Sequence, residues 1–330
     1  MAHRQLQTRT GMELVKAYLR KPSTGVFLVL VILTALFQSG NPDFLSQANI
    51  EAILRSMSYV GIIAIGMGLC LMSGVIDLSV GATSALASVL FSKAMVEWGW
   101  SLPVAVLSAM LAGAFVGLVN AYVIIRLKVP PFIATIATQF MVRGLALAWT
   151  RGFIVYPLPN GIGNIGMLKP LGVSVGFCIF LAVAVGAWFL LNKTVFGLEL
   201  KATGSDYEIA KLTEVRYILV HVVLLMLVGV LASVSGVLLS FVLNGGTPNV
   251  GTGWEFAAIT ACAIGGVSLS GYEGSIEGII FGLLAIYALQ NGVVVIGVSV
   301  FMQNVVIGIV LLVAVVLDVR RRKYLNLEGL

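Results

Sequence analysis

The chain reads as an all-α integral membrane protein of about ten transmembrane helices, with both termini cytoplasmic. Three observations carry that expectation. Hydrophobic residues make up 59% of the 330 positions and charged ones only 10%, with a mean hydropathy of +1.04; soluble domains carry about a quarter charged residues. Apolar runs of about 20 residues recur from Gly25 to Leu317, each able to cross a hydrocarbon core of about 30 Å. Lysine and arginine gather on one side of those runs, as topology signals do.

The spans follow in order. Basic residues precede an apolar stretch at 25–37, a signal peptide's layout. No small-x-small cleavage site leading into soluble sequence follows, so the first span, near 24–39, is expected to remain in the membrane. An uncharged run from Ser56 to Ile76 supplies the second, near 54–73. The knot Gly74-Val75-Ile76-Asp77-Leu78-Ser79-Val80-Gly81 ends it, and Ala82 opens the apolar body of the third, near 80–97. The fourth, near 102–126, stops at Arg126 and Lys128. The fifth, near 132–149, leads into a Gly-, Pro- and Asn-rich outer loop, 150–170, expected to be irregular. The sixth, near 171–192, opens the one long inner connection, 193–216. Four more lie near 217–240, 256–270, 276–294 and 299–317; glycines blur the ends of the third and eighth. The organisation is a cytoplasmic segment 1–23, a polytopic membrane domain 24–318 and a basic cytoplasmic tail 319–330.

With ten spans both termini share a side, and both are basic: Arg4, Arg9, Lys16, Arg20 and Lys21 at one end, Arg320, Arg321, Arg322 and Lys323 at the other. Arg126, Lys128, Lys193, Lys201, Lys211 and Arg216 fall on that same side. The opposite side receives Arg151 and Lys169, with Arg55 and Lys93 near span ends. The basic side is therefore cytoplasmic, and the net charge of +6 is a topology signal, not a nucleic-acid footprint. Trp98, Trp100, Trp149 and Tyr156 sit at outer ends, where amphipathic rings favour the interface. Cys70, Cys178 and Cys262 lie in apolar runs with no metal or disulfide spacing and read as membrane-buried hydrophobes.

An ionised side chain near the bilayer centre costs roughly 2.5–3.5 kcal/mol and usually faces protein or a watery cavity. Asp77 is expected either to line a solute path or to cap the helix starting near Ala82. The further polar candidates in or near spans are Ser79, Asn120, Gln139, Arg143, Glu255, Asn291 and Gln303. Polar side chains also bond helices together at about 0.6 kcal/mol each, a use that fits Asn120, Gln139 and Asn291 as well. Arg143 is too deep to snorkel and needs a carboxylate or carbonyl; an Asp77–Arg143 pair is the expectation, with Glu255 the other acid in reach. Lys93 and Glu97, four apart, read as an interfacial ion pair, and His221 as an interface residue rather than a proton relay. Gly61 with Gly66, and Gly113 with Gly117, suit close helix packing. In the inner connection, 205–212 looks like a short helix capped by Ser205 or Asp206, with Ile209 and Leu212 on one face; it is either a docking element or an ordinary solvated helix.

Several motifs then fall in a recognisable order: Asn41-Pro42-Asp43-Phe44-Leu45-Ser46 with Asn49-Ile50, the knot at 74–81, Val129-Pro130-Pro131-Phe132-Ile133-Ala134-Thr135, Arg143-Gly144-Leu145-Ala146, Ala263-Ile264-Gly265-Gly266-Val267-Ser268-Leu269-Ser270-Gly271, Asn291-Gly292 and Gln303. Over about residues 40–318 the chain resembles the membrane permease subunits of bacterial ATP-binding-cassette importers of the ribose, galactose and autoinducer-2 type. Ala202, Gly204, Glu208, Ala210, Lys211 and Leu212 match the loop through which those permeases couple to their ATPases. The resemblance implies a multi-pass protein of the bacterial inner membrane, in contact with lipid. Its partners are cytoplasmic subunits that bind ATP and Mg, an extracytoplasmic sugar-binding protein, and a second permease chain, identical or paralogous. It also implies no cofactor in this chain, no nucleic acid, and transport by alternating access. The departures are Val75 and Tyr272 in place of glycines, Glu214 where a glycine is usual, and Ala257 where an aspartate is common. No Gly-x4-Gly-Lys-Ser/Thr phosphate loop occurs, so ATP hydrolysis falls to other chains. The alternative, an ion-coupled secondary transporter using Asp77 and Glu255, leaves the coupling loop unexplained. An intramembrane enzyme lacks its motif, since His-Glu-x-x-His is absent.

Overall fold

In hydrocarbon every backbone polar group must find its partner inside the protein, so long apolar runs become helices. A computed structural model describes residues 22–205, 216–269 and 271–324. Among them are eleven α-helices: α1 Pro22–Gly40, α2 Gln47–Met72, α3 Val80–Val96, α4 Leu102–Ile125, α5 Pro131–Thr150, α6 Val175–Lys193, α7 Val195–Ser205, α8 Tyr217–Leu243, α9 Trp254–Ile264, α10 Ile276–Val295 and α11 Met302–Tyr324. No strand occurs among the described residues. Six helices (α2, α4, α5, α6, α8 and α10) are long and apolar enough to cross a membrane, and shorter apolar helices lie in α1, α3, α9 and α11. Each expected span thus meets a helix. Local chemistry starts several of them: Ser46, Ser174 and Ser275 accept the backbone N–H three residues on, and Pro103 and Pro131 sit in first turns.

The two longest spans, α2 and α8, form the centre. α8 packs against α4, α3 and α2, while α2 also meets α6, α9 and α10. α1 lies on α10, and α11 on α9. Side-chain-free positions permit the closest crossings, as the glycine spacings predict. A Cβ on Gly113 would overlap the Gly229 carbonyl, one on Gly117 the Leu225 carbonyl, and one on Gly61 the Phe180 ring. On the outside, Leu107, Leu111, Phe115, Phe140, Leu145, Val185 and Phe189 are exposed, the apolar coat that lipid requires.

Three connections depart from the expectation. The outer loop is partly ordered: Pro159–Met167 is a 3-10 helix, Val155 and Gly246 exchange both backbone hydrogen bonds (2.8 and 3.0 Å), and Lys169 pairs with Glu51. The inner connection begins as helix α7; Ser205 is its last residue and donates its hydroxyl to the Ala202 carbonyl (2.8 Å). The expected helix beyond it, with Glu208, Ala210, Lys211 and Leu212, lies outside the described residues, as do residues 1–21 and 325–330. The eighth span is half irregular. After Asn244, which closes α8 in a left-handed conformation, the chain re-enters the bundle without helical structure until α9, only 11 residues long. Gly246 abuts Ser88 and Ser92, and Gly251 abuts Gly81. This segment therefore runs along α3 for roughly 10–16 Å at 1.5 Å per helical residue.

Candidate functional site

The first interruption follows α2. Gly74 takes φ +82°, the left-handed turn that frees the chain from the helix. Val75 has no positive φ, so a valine sits there without strain. Asp77 then accepts from Ser79 N–H (2.8 Å) and Ser79 Oγ (2.6 Å). Asn120 Nδ2 donates to Ser79 Oγ (3.0 Å) and, more distantly, to Asp77 Oδ1 (3.4 Å). All three side chains are buried. A carboxylate just ahead of α3 complements the positive end of that helix, but the N-cap is Ser79 and Asp77 makes no cap bond to the first turn. The 17 residues of α3 extend about 26 Å away from Asp77 to one side.

The second interruption is held by α5. Thr135, Gln139 and Arg143 are spaced four apart and share one face. Thr135 Oγ1 donates to the Ile76 carbonyl (3.4 Å) and Gln139 Nε2 to Glu255 Oε1 (2.8 Å); Arg143 Nη1 lies 2.6 Å from the carbonyls of both Pro248 and Val250. The expected Asp77–Arg143 pair does not form. Arg143 stands eight residues, about 12 Å, beyond the Thr135 level at which α5 meets the Asp77 loop. Its carbonyl partners are those that the irregular segment leaves without helical donors, and buried backbone carbonyls demand such satisfaction.

Glu255 lies in the first turn of α9, behind Gly253 at φ +81°, and is buried. Its Oε1 takes the Gln139 bond, whereas Oε2 has no partner. A Cβ on Gly81 would overlap both Glu255 Oε2 and the Gly251 carbonyl. The starts of α3 and α9 thus converge, each with its own carboxylate, an arrangement in which half-helix ends face a solute in transporters. Of the eight candidates, Asp77, Ser79, Asn120, Gln139, Arg143 and Glu255 gather around these two interruptions.

Asn291 and Gln303 do not join them. Asn291 and Asn49 exchange amide hydrogen bonds (2.9 Å each) between α10 and α2, and Gln303 Nε2 is 3.5 Å from the Gln290 carbonyl. They sit where α1, α2, α10 and α11 meet, and Asn291 bonds helices together. His221 Nε2 contacts the Ser73 carbonyl (3.2 Å) behind α2, an interface position. Lys93 and Glu97 pair at 2.6 Å, as expected. Sequence reasoning passed over Thr135, although its spacing from Gln139 and Arg143 marks the same face. It also passed over the serines Ser84, Ser88 and Ser92 of α3; Ser84 Oγ bonds the Ala232 carbonyl (2.8 Å) and Ser88 Oγ meets Ser240 Oγ (2.7 Å).

Gly204 near the end of α7 meets the end of α2 and the turn that follows α9. A Cβ there would overlap the Met72 carbonyl and reach the Tyr272 nitrogen, and one on Gly271 would overlap the Gly204 carbonyl. Tyr272 N–H donates to the Met72 carbonyl (2.9 Å). Tyr272 has φ +67° and a half-exposed ring.

Residues 49–315 match the family described as branched-chain amino acid transport system / permease component. The chain is 37% identical to the ribose import permease of Bacillus subtilis, over 96% of this chain and 98% of that one. It is 33% identical to an L-arabinose ABC transporter permease of Azospirillum brasilense (91% and 88%) and 30% identical to a xylose transport permease of Haemophilus influenzae (90% and 96%). No solved structure matches.

Proposed function

The chain belongs to this permease family, as the membrane component of an ATP-binding-cassette importer in the bacterial inner membrane, and from that membership we propose how it works. Its solute is a monosaccharide of the pentose kind carried by its relatives. Ten spans cross the membrane, the irregular segment and α9 together making the eighth, with both termini cytoplasmic. α7 and the stretch after it, through Ala202, Gly204, Glu208, Ala210, Lys211 and Leu212, dock on cytoplasmic subunits that bind ATP and Mg; this chain itself holds no cofactor. A sugar-binding protein delivers solute to the other face, and a second permease chain completes the path.

The observation that carries the reading is the polar face of α5. Thr135, Gln139 and Arg143 tie the loop before α3 to the segment before α9, so one helix holds both interruptions. In this arrangement the cluster is closed, with Asp77, Ser79, Asn120 and Glu255 buried. Opening it exposes donors and acceptors suited to hydroxyls, which a path needs in small number if solute is not to stick. The cycle then has two states whose balance nucleotide and loaded binding protein shift from opposite ends.

The test is uptake by liposomes containing this chain, its ATP-binding subunits and its binding protein. Uphill entry of ribose, arabinose or xylose that requires ATP is expected, and none without the ATP-binding subunits. Changing Glu208 and Lys211 should cut solute-stimulated hydrolysis while leaving the permease inserted. ATP-driven uptake of leucine in place of sugars would replace the proposed substrate class with the one the family description names.

A further inference from the structure

A second polar constellation lies at the opposite end of α3 from Asp77. Lys93, Glu97, Trp149, Arg151, Phe153 and Tyr156 line a cleft of about 360 Å³, within the range of small-molecule sites. Lys93 is nine-tenths buried, yet its ammonium gives one hydrogen bond, to Glu97 Oε1 (2.6 Å), and otherwise stands 5.8 Å from the centre of the Trp149 ring. An ammonium has three N–H donors and a carboxylate two acceptor oxygens. The pair therefore presents unused N–H groups beside an unused Oε2. Neighbouring hydroxyls on a ring match such a couple: one oxygen accepts from the ammonium while the next hydroxyl donates to the carboxylate. The C–H faces of the same ring match the aromatic side chains of Trp149, Phe153 and Tyr156.

The wall is held in place. Val155 is bonded to Gly246 in both directions, Leu158 N–H donates to the Asn244 carbonyl (3.1 Å), and a Cβ on Gly245 would press on Tyr156. One residue before Lys93, Ser92 Oγ is buried against Gly246 without a partner. From there the face of α3 continues through Ser88 and Ser84 to Gly81, which abuts Glu255. The cleft thus stands at the head of a hydroxyl-bearing helix face whose foot is the polar cluster.

We propose that this cleft binds a neutral polyhydroxylated solute, a monosaccharide ring, before it enters the membrane. The inference rests on the reading of the chain as a sugar permease and adds a site that the cluster on α5 does not contain. The test is titration of the full chain in lipid nanodiscs with D-ribose, L-arabinose and D-xylose, followed by tryptophan fluorescence, since Trp149 lines the cleft. A saturable change is expected with at least one sugar. Glu97→Gln and Lys93→Met should each weaken half-saturation by about tenfold or more, the scale of one hydrogen bond to a charged group, while Arg126→Gln, at the other end of the bundle, leaves it unchanged. Should Lys93→Met fail to insert, Glu97→Gln at its half-exposed position carries the test. No saturable change with any of the sugars, or half-saturation unaltered by the variants, overturns the site. If the assembled importer still takes up sugar in that case, only the cleft is lost; a response to leucine in place of the sugars overturns the cleft and the proposed substrate together.

Discussion

Gln139 and Glu255 should be energetically coupled, and Asp77 and Arg143 should not. Gln139→Leu removes the side-chain donor of Glu255 Oε1, and Oε2 already has none. The carboxylate is then buried without a side-chain partner, a loss of about 1–3 kcal/mol by the usual cost of orphaning a buried polar group. In a Glu255→Met background the same substitution should cost far less. The coupling expected for an interhelical polar pair in a membrane is about 0.6–1.7 kcal/mol. Asp77 and Arg143 share no partner: one is held by Ser79 and Asn120, the other by carbonyls 248 and 250. Asp77→Asn and Arg143→Met should therefore add to within about 0.5 kcal/mol. Both cycles can be read from unfolding of the purified chain in detergent, followed by tryptophan fluorescence. A coupling above about 1 kcal/mol between Asp77 and Arg143, or none between Gln139 and Glu255, would refute the placement of α5 between the two interruptions.

Three further outcomes follow from individual positions. Gly204→Ala puts a methyl into the Met72 carbonyl and should cost about 1–3 kcal/mol together with most ATP-driven uptake; Gly186→Ala, with nothing within 4 Å, should be neutral or slightly stabilising in the same melting and uptake assays. Tyr272→Gly relieves a left-handed tyrosine, worth about 1–2 kcal/mol, against about 0.5–1 kcal/mol of added chain entropy, so the melting temperature should rise modestly. Ser79→Ala removes the 2.6 Å bond to Asp77 and the acceptor of Asn120; a loss of about 1–3 kcal/mol should appear in thermal unfolding, with uptake reduced more than for Asn49→Leu, whose bond lies at the α2–α10 contact.

The helices were legible because hydrocarbon permits so little else: a run of twenty apolar residues has one way to satisfy its backbone. The interruption at 74–79 was legible for the same reason, since its charge and glycine break the run. The second was not. Residues 244–253, with four glycines and Pro248, read as an ordinary connection between spans; that this connection runs back along α3 depends on donors brought from elsewhere in the sequence: Arg143 from α5 and Val155 from the outer loop. This is also why the Asp77–Arg143 pairing failed. Reasoning from side chains alone offers an arginine two carboxylates, whereas backbone carbonyls freed by a distant break are invisible until the chain is folded. Asn291 and Gln303 misled differently: a polar residue in a span is equally well explained by helix bonding, and only its neighbours decide.

Those neighbours also bear on how force reaches the path. Met72 is the last residue of α2 before the Asp77 loop, and Gly271 lies in the turn region after α9; both touch Gly204 through backbone atoms. Side chains at such a junction could change rotamer and absorb a small displacement, but glycine backbones in contact cannot. In the proposed importer, a movement of α7 driven by the ATP-binding subunits is therefore passed at once to the Asp77 loop, through the end of α2, and to α9, through the turn that follows it. Because α5 bonds the Asp77 loop and the segment before α9, those two move together or break the Thr135, Gln139 and Arg143 contacts. A crosslink between α7 and the end of α2 fixes a contact that already moves as one, so ATP hydrolysis and solute entry should both continue; a crosslink that stops entry would show that the two slide past each other and that the cluster opens by some route that does not involve Gly204.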